Sequence, residues 1–378
     1  MSKIKSESIW VITGDASKEA AGPLPALRSF SKYCFEKKIN LVVLATIGQK
    51  ETQGTSIRNT DVRWMLSRRI GPLNLHFAPS MMLCAWRQWS EQRPSSLVLD
   101  GVWYTVGAVI ATIASMLGVR VYIIPHGSLN SRAMKINAIR KRVLTLLLRP
   151  LFKRAVAFMA LSPFEKGEIL KVSPKGIVLQ ASNAINVVGG WDGMNGPILF
   201  LGRIDPIKNL EFIIDAYSSA RQRGCLRPLQ IAGPGNLQYI ETLRQRCLTL
   251  GISDSVSFLG PLYGEKKFEV MKKSRIFLMA SHSEAQPYAL LEALSVGVPS
   301  VITENCKLWF TNPSVTVVSE NSIKDYSNAI CALDGMNNTE FAYLSKLAVQ
   351  LISEYYREEI VWTHRIECLQ ALSSTEKS

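Results

Sequence analysis

Four charged side chains in the second half of the chain have the types and spacing to hold a phosphorylated, hydroxyl-rich ligand. Glu284 and Glu292 are separated by seven residues, and Arg203 and Lys208 lie five apart, just ahead of a helical pattern that begins near Leu210. An ionised carboxylate only accepts hydrogen bonds, so two of them suit a ligand with hydroxyls at both ends. Guanidinium offers a planar fork and ammonium a compact point charge, the two complements of a phosphate group. A nucleotide sugar, with phosphate in the middle and hydroxyls on either side, answers that description. In the first half, His126 follows the apolar run Val121-Tyr122-Ile123-Ile124 and precedes Gly127, where it can reach a ligand from a strand end.

These residues need elements to position them. Arg275-Ile276-Phe277-Leu278-Met279-Ala280 reads as a buried strand, and Val298-Pro299-Ser300-Val301-Ile302-Thr303 as another. Between them Pro287 suits the first turn of a helix, and Gly297 can take the left-handed conformation that ends one. Strand, loop, helix and strand make the crossover of a parallel sheet. Glu284 then sits in the loop after the strand. Glu292 sits in the helix, roughly 7 Å along its axis from Pro287 at the usual rise per residue, and leans back toward the loop. Ligands of open parallel sheets bind at the carboxyl ends of the strands, and free N–H groups at the helix start favour an anion there. Leu199-Phe200-Leu201-Gly202-Arg203 similarly reads as a strand ending at Gly202, and Leu229-Gln230-Ile231-Ala232-Gly233 as one ending at Gly233.

The stretch Glu284, seven residues, Glu292-Ala293, then Gly297-Val298-Pro299 resembles the signature of retaining, nucleotide-sugar-dependent glycosyltransferases of the GT-B fold, the group that includes glycogen-synthase-like and lipopolysaccharide glycosyltransferases. The resemblance is strong over about 197–303, moderate over 121–185 and weak before 120. It implies an α/β chain with two Rossmann-like parallel-sheet domains facing across a cleft. It implies that Arg203 and Lys208 neutralise the donor diphosphate and stabilise charge on the leaving group. Glu284 would hold hydroxyls of the donor sugar, and Glu292 the ribose. Gly202, Gln286, Pro287, Tyr288 and Ala289 would border the donor, the Gly233 turn would lie near the nucleotide, and Gly260-Pro261 near its base. His126 would face the transferred sugar. Gly22-Pro23 stands where the family has a Gly-rich loop, although the start of a helix explains it equally well. One departure lies in the core of the motif: many relatives have Gly-Phe-Gly after the first Glu, and this chain has Ala285-Gln286-Pro287. Pro287 lacks an N–H, which bears on the donor sugar more than on the reaction.

A chain of 378 residues, 47% hydrophobic and 20% charged, has room for two ordinary domains and is not disordered. Seven scattered cysteines with no C-x-x-C pair read as reduced core residues rather than a disulfide framework or zinc site. The N-terminus has no long apolar segment after its charges, so no signal peptide is expected. Residues 101–119 carry no charge and are long enough to suggest a membrane span. The strand-like runs on both sides favour a buried crossover helix instead. The net charge of +14 is uneven: residues 1–188 hold 26 Lys and Arg against 10 Asp and Glu, while residues 189–378 hold 18 against 20. This imbalance predicts two domains, 1–188 and 197–353, joined through the glycine-rich 186–196, and the resemblance implies that a last helix over 354–372 returns to the first domain. It also predicts an anionic partner for the first half. Residues 131–164 contain no acid, and within them 132–154 read as a basic amphipathic helix able to lie on an anionic membrane. The polar stretch from about 50 to 75 reads as loops and one short helix.

Together with the resemblance, these features imply a transferase that moves a sugar from a nucleoside diphosphate to a lipid-linked oligosaccharide. The expected setting is bacterial surface polysaccharide assembly, such as lipopolysaccharide biosynthesis, peripheral on the cytoplasmic face of the inner membrane. No metal is expected, because no Asp-x-Asp pair accompanies the motif. The alternatives are a nucleotide-sugar epimerase of the same fold or an inactive membrane-associated scaffold. Nucleic acid is not an expected partner, since no recognised module or aromatic-basic interleaving is visible.

Overall fold

A computed structural model describes residues 8–16, 23–47, 62–70, 78–135, 138–319 and 321–371. The chain divides into two units: one formed by Met1–Leu161, Glu165–Ala184 and Glu358–Ser378, the other by Ser162–Phe164 and Ile185–Arg357.

The first unit runs β1 (Ser8–Asp15), α1 (Pro23–Glu36), β2 (Asn40–Ile47), β3 (Arg63–Arg68), α2 (Ser80–Glu91), β4 (Ser96–Asp100), α3 (Thr105–Met116), β5 (Arg120–Ile124), α4 (Ser131–Lys135), α5 (Ala138–Arg154), β6 (Ala157–Ala160), α6 (Pro163–Val172) and β7 (Val178–Gln180). Its seven strands pair in the order β3-β2-β1-β4-β5-β6-β7, and every pairing is parallel. A parallel sheet is covered on both faces, which is why its central strands are apolar throughout rather than alternating. All five residues of β4 are buried, for example.

The second unit runs β8 (Ile198–Leu201), α7 (Leu210–Gln222), β9 (Leu229–Ala232), α8 (Leu237–Thr249), β10 (Val256–Gly260), α9 (Gly264–Lys272), β11 (Ile276–Met279), α10 (Tyr288–Val296), β12 (Ser300–Thr303), β13 (Val315–Val318), α11 (Ile323–Asp334) and α12 (Asn338–Tyr355). The strand order is β10-β9-β8-β11-β12-β13, again all parallel. The crossover expected around the two glutamates is present. Pro287 immediately precedes α10, and Gly297 ends it with a left-handed φ of +109°. A side chain at 297 would be strained by that φ and would also meet Ser345. The final helix, α13 (Glu358–Ala371), belongs to the first unit.

Several local expectations change. The described part of the polar segment before residue 75 contains the edge strand β3 rather than a helix, paired along β2 from Arg63 to Arg68. An edge strand gains its place by pairing, and the short apolar run Trp64-Met65-Leu66 between arginines does not alternate as a half-buried strand would, so the sequence gave little internal sign. The described parts of the basic stretch are helical, as α4 and α5. The last helix begins at Glu358, because α12 ends at Tyr355 and Tyr356 takes a non-helical φ/ψ. Residues 186–196 are packed along the second unit: Val188 and Gly189 donate to the Ser295 carbonyl, and the Trp191 ring stacks on Phe341 at 5.4 Å. The uncharged helix α3 is a crossover as expected, yet only one side of it is buried. Val109, Ile113, Met116 and Leu117 are exposed. Among the described residues no helix is long and apolar enough to cross a membrane. The seven cysteines are free, and burial pushes the Cys34 thiol up to about 12.

α13 is fastened to α1 by specific contacts. Trp362 is fully buried, its ring lies 5.3 Å from that of Phe30, and its indole N–H donates to Ser29 Oγ at 2.8 Å. Ser29 Oγ in turn donates to Glu358 Oε1 at 2.7 Å. Trp362→Ala should remove about 3–5 kcal/mol from the first unit. The expected readout is faster amide hydrogen exchange in α1 and a lower urea midpoint for that unit. Unchanged exchange in α1 would contradict this account of the docking.

Candidate functional site

In the second unit the strand order reverses direction between β8 and β11, the first strand and the fourth. Loops leaving neighbouring strands at such a point diverge to opposite faces and leave a crevice beyond the carboxyl ends. The β8–α7 loop carries Arg203 and Lys208, and the β11–α10 loop carries Glu284. A backbone bond from His282 N to Ile207 O, 2.9 Å, ties these loops together. Lys208 Nζ lies 2.5 Å from Glu284 Oε1, with both side chains largely buried. The β8–α7 loop is itself shaped locally. Asp205 Oδ1 accepts from Ile207 N at 3.0 Å, Pro206 starts a single 3-10 turn, and Asn209 adopts the left-handed conformation before α7. Arg203 remains exposed beside Asp205, at 3.7 Å.

Glu292 on α10 also has a cation. Lys267 Nζ, from α9, lies 2.6 Å from its Oε1. Sequence reasoning missed Lys267, which is one of several basic residues on an amphipathic helix. Only the packing of α9 beside α10 distinguishes it. Of the residues around the helix start, Gln286 is buried, while Tyr288 and Ala289 are partly buried. Pro287 contributes no N–H there.

Three glycines line the carboxyl ends of β8, β9 and β10. Gly202 N donates to Ala232 O at 3.0 Å, and Gly233 N to Gly260 O at 2.8 Å. Gly233 has a φ of +143°, and a Cβ there would lie 1.8 Å from the Gly202 carbonyl oxygen. Only glycine permits that approach. Beyond this row opens a cavity of about 680 Å³. Ile204, Gly233, Pro234, Phe258, Gly260 and Arg244 are among its walls, and the Arg244 guanidinium lies 5.4 Å from the centre of the Phe258 ring.

In the first unit His126 ends β5 with a left-handed φ of +53° and is followed by Gly127 at +70°. Its Nε2 lies 2.5 Å from Asp100 Oδ1, at the end of β4. Thr13 Oγ1 donates to the other Asp100 oxygen at 3.0 Å. The turn is held from below by Glu165, whose carboxylate accepts from Gly127 N at 2.6 Å and Leu161 N at 2.7 Å. Burial acts most strongly on His126 and disfavours its charge. The charge and hydrogen bond of Asp100, with help from Glu165, outweigh burial and raise the imidazole above its ordinary value. Burial likewise pushes Asp100 up, but His126, Arg365 and Thr13 together hold it below the ordinary carboxylate value. Burial raises Glu165 despite its two backbone donors. Asp100, Glu165 and Arg365 were not singled out from the sequence. Asp100 ends an apolar strand and could have been flagged on that ground.

Lys208 and Glu284 are thus in contact, and Glu292 and Arg203 stand in the same unit with their own partners. His126 is part of a separate buried cluster in the first unit. Gly22 lies outside the described residues.

Residues 196–334 match the family model of group 1 glycosyl transferases. Among curated relatives, the D-inositol 3-phosphate glycosyltransferase of Gordonia bronchialis is 25% identical over 191 residues, which are 48% of this chain and 40% of that protein. The chain spans two fifths or less of the length of the first curated relatives it matches. Among solved structures, Anabaena HepE in complex with UDP and glucose matches with a TM-score of 0.72 at 15% identity, over 97% of this chain and 100% of that one. The lipopolysaccharide outer core galactosyltransferase WaaB matches with 0.69 at 16% identity, over 96% and 99%. The two parallel sheets are therefore those of the GT-B fold. Residues 196–334, within the second unit, are thus similar to the group 1 glycosyl transferases, in line with the resemblance carried by the motif.

The Asp100–His126 pair has a definite pH signature. A raised imidazole stabilises below its ordinary value of 6.5 and loses that contribution as pH climbs through the raised value. A depressed carboxyl stabilises above its ordinary value of 3.8 and loses that contribution as pH falls through the depressed value. Asp100→Asn should therefore cost on the order of 3 kcal/mol, the scale for breaking a buried pair. The gap to wild type in urea midpoint should be widest between those two ordinary values and narrow at alkaline pH. A gap that does not change with pH would mean the pair is uncharged in the fold.

Proposed function

We propose that the chain is a retaining glycosyltransferase that moves a hexose from a nucleoside-diphosphate sugar to an acceptor hydroxyl. The observation that carries this reading is the Lys208–Glu284 pair at the β8/β11 switch point, inside the segment that matches the group 1 family. In this reading Lys208 and Arg203 bind the diphosphate. As the glycosidic bond breaks, the diphosphate gains charge, and a cation placed beforehand stabilises that charge without reorganising. Glu284 keeps Lys208 oriented and offers its remaining oxygen to the sugar hydroxyls. Glu292, fixed by Lys267, accepts from the ribose. Gly202, Gly233 and Gly260 let the backbone approach the ligand, and the cavity beyond them takes the base, with the Phe258–Arg244 stack as one wall. In the first unit, His126, oriented by Asp100, is the candidate contact for the transferred sugar.

HepE was solved with UDP and glucose, so UDP-glucose is the first donor to test. The acceptor in this reading is an anionic, lipid-linked saccharide of bacterial surface polysaccharide assembly, reached from the cytoplasmic face of the membrane. The likeness to the lipopolysaccharide galactosyltransferase WaaB and the basic first half of the chain support that choice.

The test is nucleotide release from UDP-sugars, with and without lipid-linked acceptor, and the anomeric configuration of the product by NMR. Arg203→Ala and Lys208→Ala should each lower turnover about 10²–10³-fold, as loss of one donor to a developing oxyanion does, with the fold intact by circular dichroism. Near-wild-type turnover in both variants would overturn the assignment. Because two cations serve the diphosphate, activity should also survive exhaustive treatment with EDTA. Loss of activity, restored by Mg²⁺ or Mn²⁺, would contradict the cationic role given to Arg203 and Lys208.

A further inference from the structure

The outer faces of α3 and α5 are apolar where a solvated helix would be polar. On α3, Val109, Ile113 and Met116 are 46%, 44% and 65% exposed. On α5, Ile139, Val143, Leu146 and Leu147 are 81%, 50%, 54% and 68% exposed. Both sets recur at three- or four-residue intervals, so each is a continuous stripe along its helix. Neighbouring stripes, Val106, Ile110 and Ala114 on α3 and Leu148, Leu151 and Phe152 on α5, are already buried. Each helix is therefore apolar beyond its buried stripe. The helices pack against each other, and a groove of about 240 Å³ runs between them, lined by Trp103, Val109, Ile113, Leu144, Leu147 and Leu148 among others. Single exposed apolar residues are normal, but a contiguous patch of this kind marks an interaction site.

Charge selects what covers it. α3 contains no charged residue, and residues 131–164 contain no acid. Lys135, Arg142, Arg149, Lys153 and Arg154 are exposed on α4 and α5. A second copy of the chain would bring two such basic sets together, which like-charge repulsion opposes. A nucleic acid would meet the cations but leave the stripes uncovered. We infer that this face inserts into an anionic phospholipid bilayer, with the α3 and α5 stripes in the hydrocarbon boundary, an acyl chain in the groove and the basic side chains at the headgroups. The inference rests on the membrane reading above and adds a hydrocarbon contact to it.

The two contributions separate by salt. At 1 M ionic strength screening shortens to about 3 Å, so attraction to headgroups fades while apolar insertion persists. The experiment is flotation of the full chain with phosphatidylcholine vesicles containing rising fractions of phosphatidylglycerol, at low and high salt. Wild type should bind in proportion to anionic lipid and keep a salt-resistant fraction. Ile113→Asp/Leu147→Asp should lose that fraction and bind roughly tenfold more weakly at low salt, since each buried CH₂ is worth ~0.8 kcal/mol. Arg142→Glu/Arg149→Glu/Lys153→Glu should lose the dependence on lipid charge. A UDP thermal shift equal to that of wild type serves as the folding control for both variants.

Wild-type binding abolished by salt, or unaltered by the aspartates, would overturn the insertion and leave electrostatic docking in place. No binding to any vesicle would overturn both, while the donor reading would stand or fall on the UDP shift alone. A concentration-dependent dimer in sedimentation, lost in the aspartate variant, would assign the face to a second copy and overturn the proposal.

Discussion

The second unit depends on the meeting of two loops across the point where its strand order reverses. β8 and β11 are neighbours in the sheet although two further strands separate them in the chain. Their following loops must therefore part to opposite faces, and whatever closes the space between them defines the crevice. Here the closure is polar: the His282–Ile207 backbone bond and the Lys208–Glu284 ion pair. Isolated, either charge in so buried a place would be costly. Paired, they fix each other's geometry and leave further acceptor and donor capacity for a ligand. Lys267 and Glu292 repeat the device one helix away. Glu284 and Glu292 thus each have their own cation.

The first unit solves a related problem with fewer exposed atoms. His126, in an unfavourable backbone conformation for a residue with a side chain, is held by Asp100 from β4 and, through Gly127, by Glu165 from α6, while the charge of Arg365 from α13 favours the Asp100 carboxylate and opposes the imidazolium. Arg365 also donates to the Ser182 carbonyl at 2.7 Å. The last helix of the chain therefore supports the same unit as the first strand. That placement explains why its tryptophan and arginine are buried although they stand near the end of the sequence.

Backbone proximity is a further constraint. Gly202, Gly233 and Gly260 stand side by side at the ends of adjacent strands, and the Gly202 carbonyl approaches Gly233 more closely than any Cβ would allow. The cost is conformational freedom lost on folding. The return is a surface of backbone and small residues beside a cavity, where a flat group can lie against the chain. The groove between α3 and α5 arises differently, from packing two apolar helices whose outer stripes the described residues leave exposed.

Much of the second unit was legible in the sequence because its signals are local. A run of β-branched and aromatic residues, then Gly202, Gly233 or Gly297, marks strand and helix ends by steric rules that hold wherever they occur. The seven-residue spacing of Glu284 and Glu292 is likewise readable along one crossover. What the sequence could not specify is pairing across distance. Lys267 became the partner of Glu292 only because α9 packs against α10, and Asp100 the partner of His126 only because β4 and β5 are neighbours. β3 is a strand because β2 offered it an edge. The uncharged stretch 105–116 looked buried on all sides, since composition counts apolar residues without saying how many faces the fold can cover. Local sterics determined the elements. Which side chains meet, and which apolar faces stay open, were decided by strand order and helix packing, because those contacts join residues that are remote along the chain.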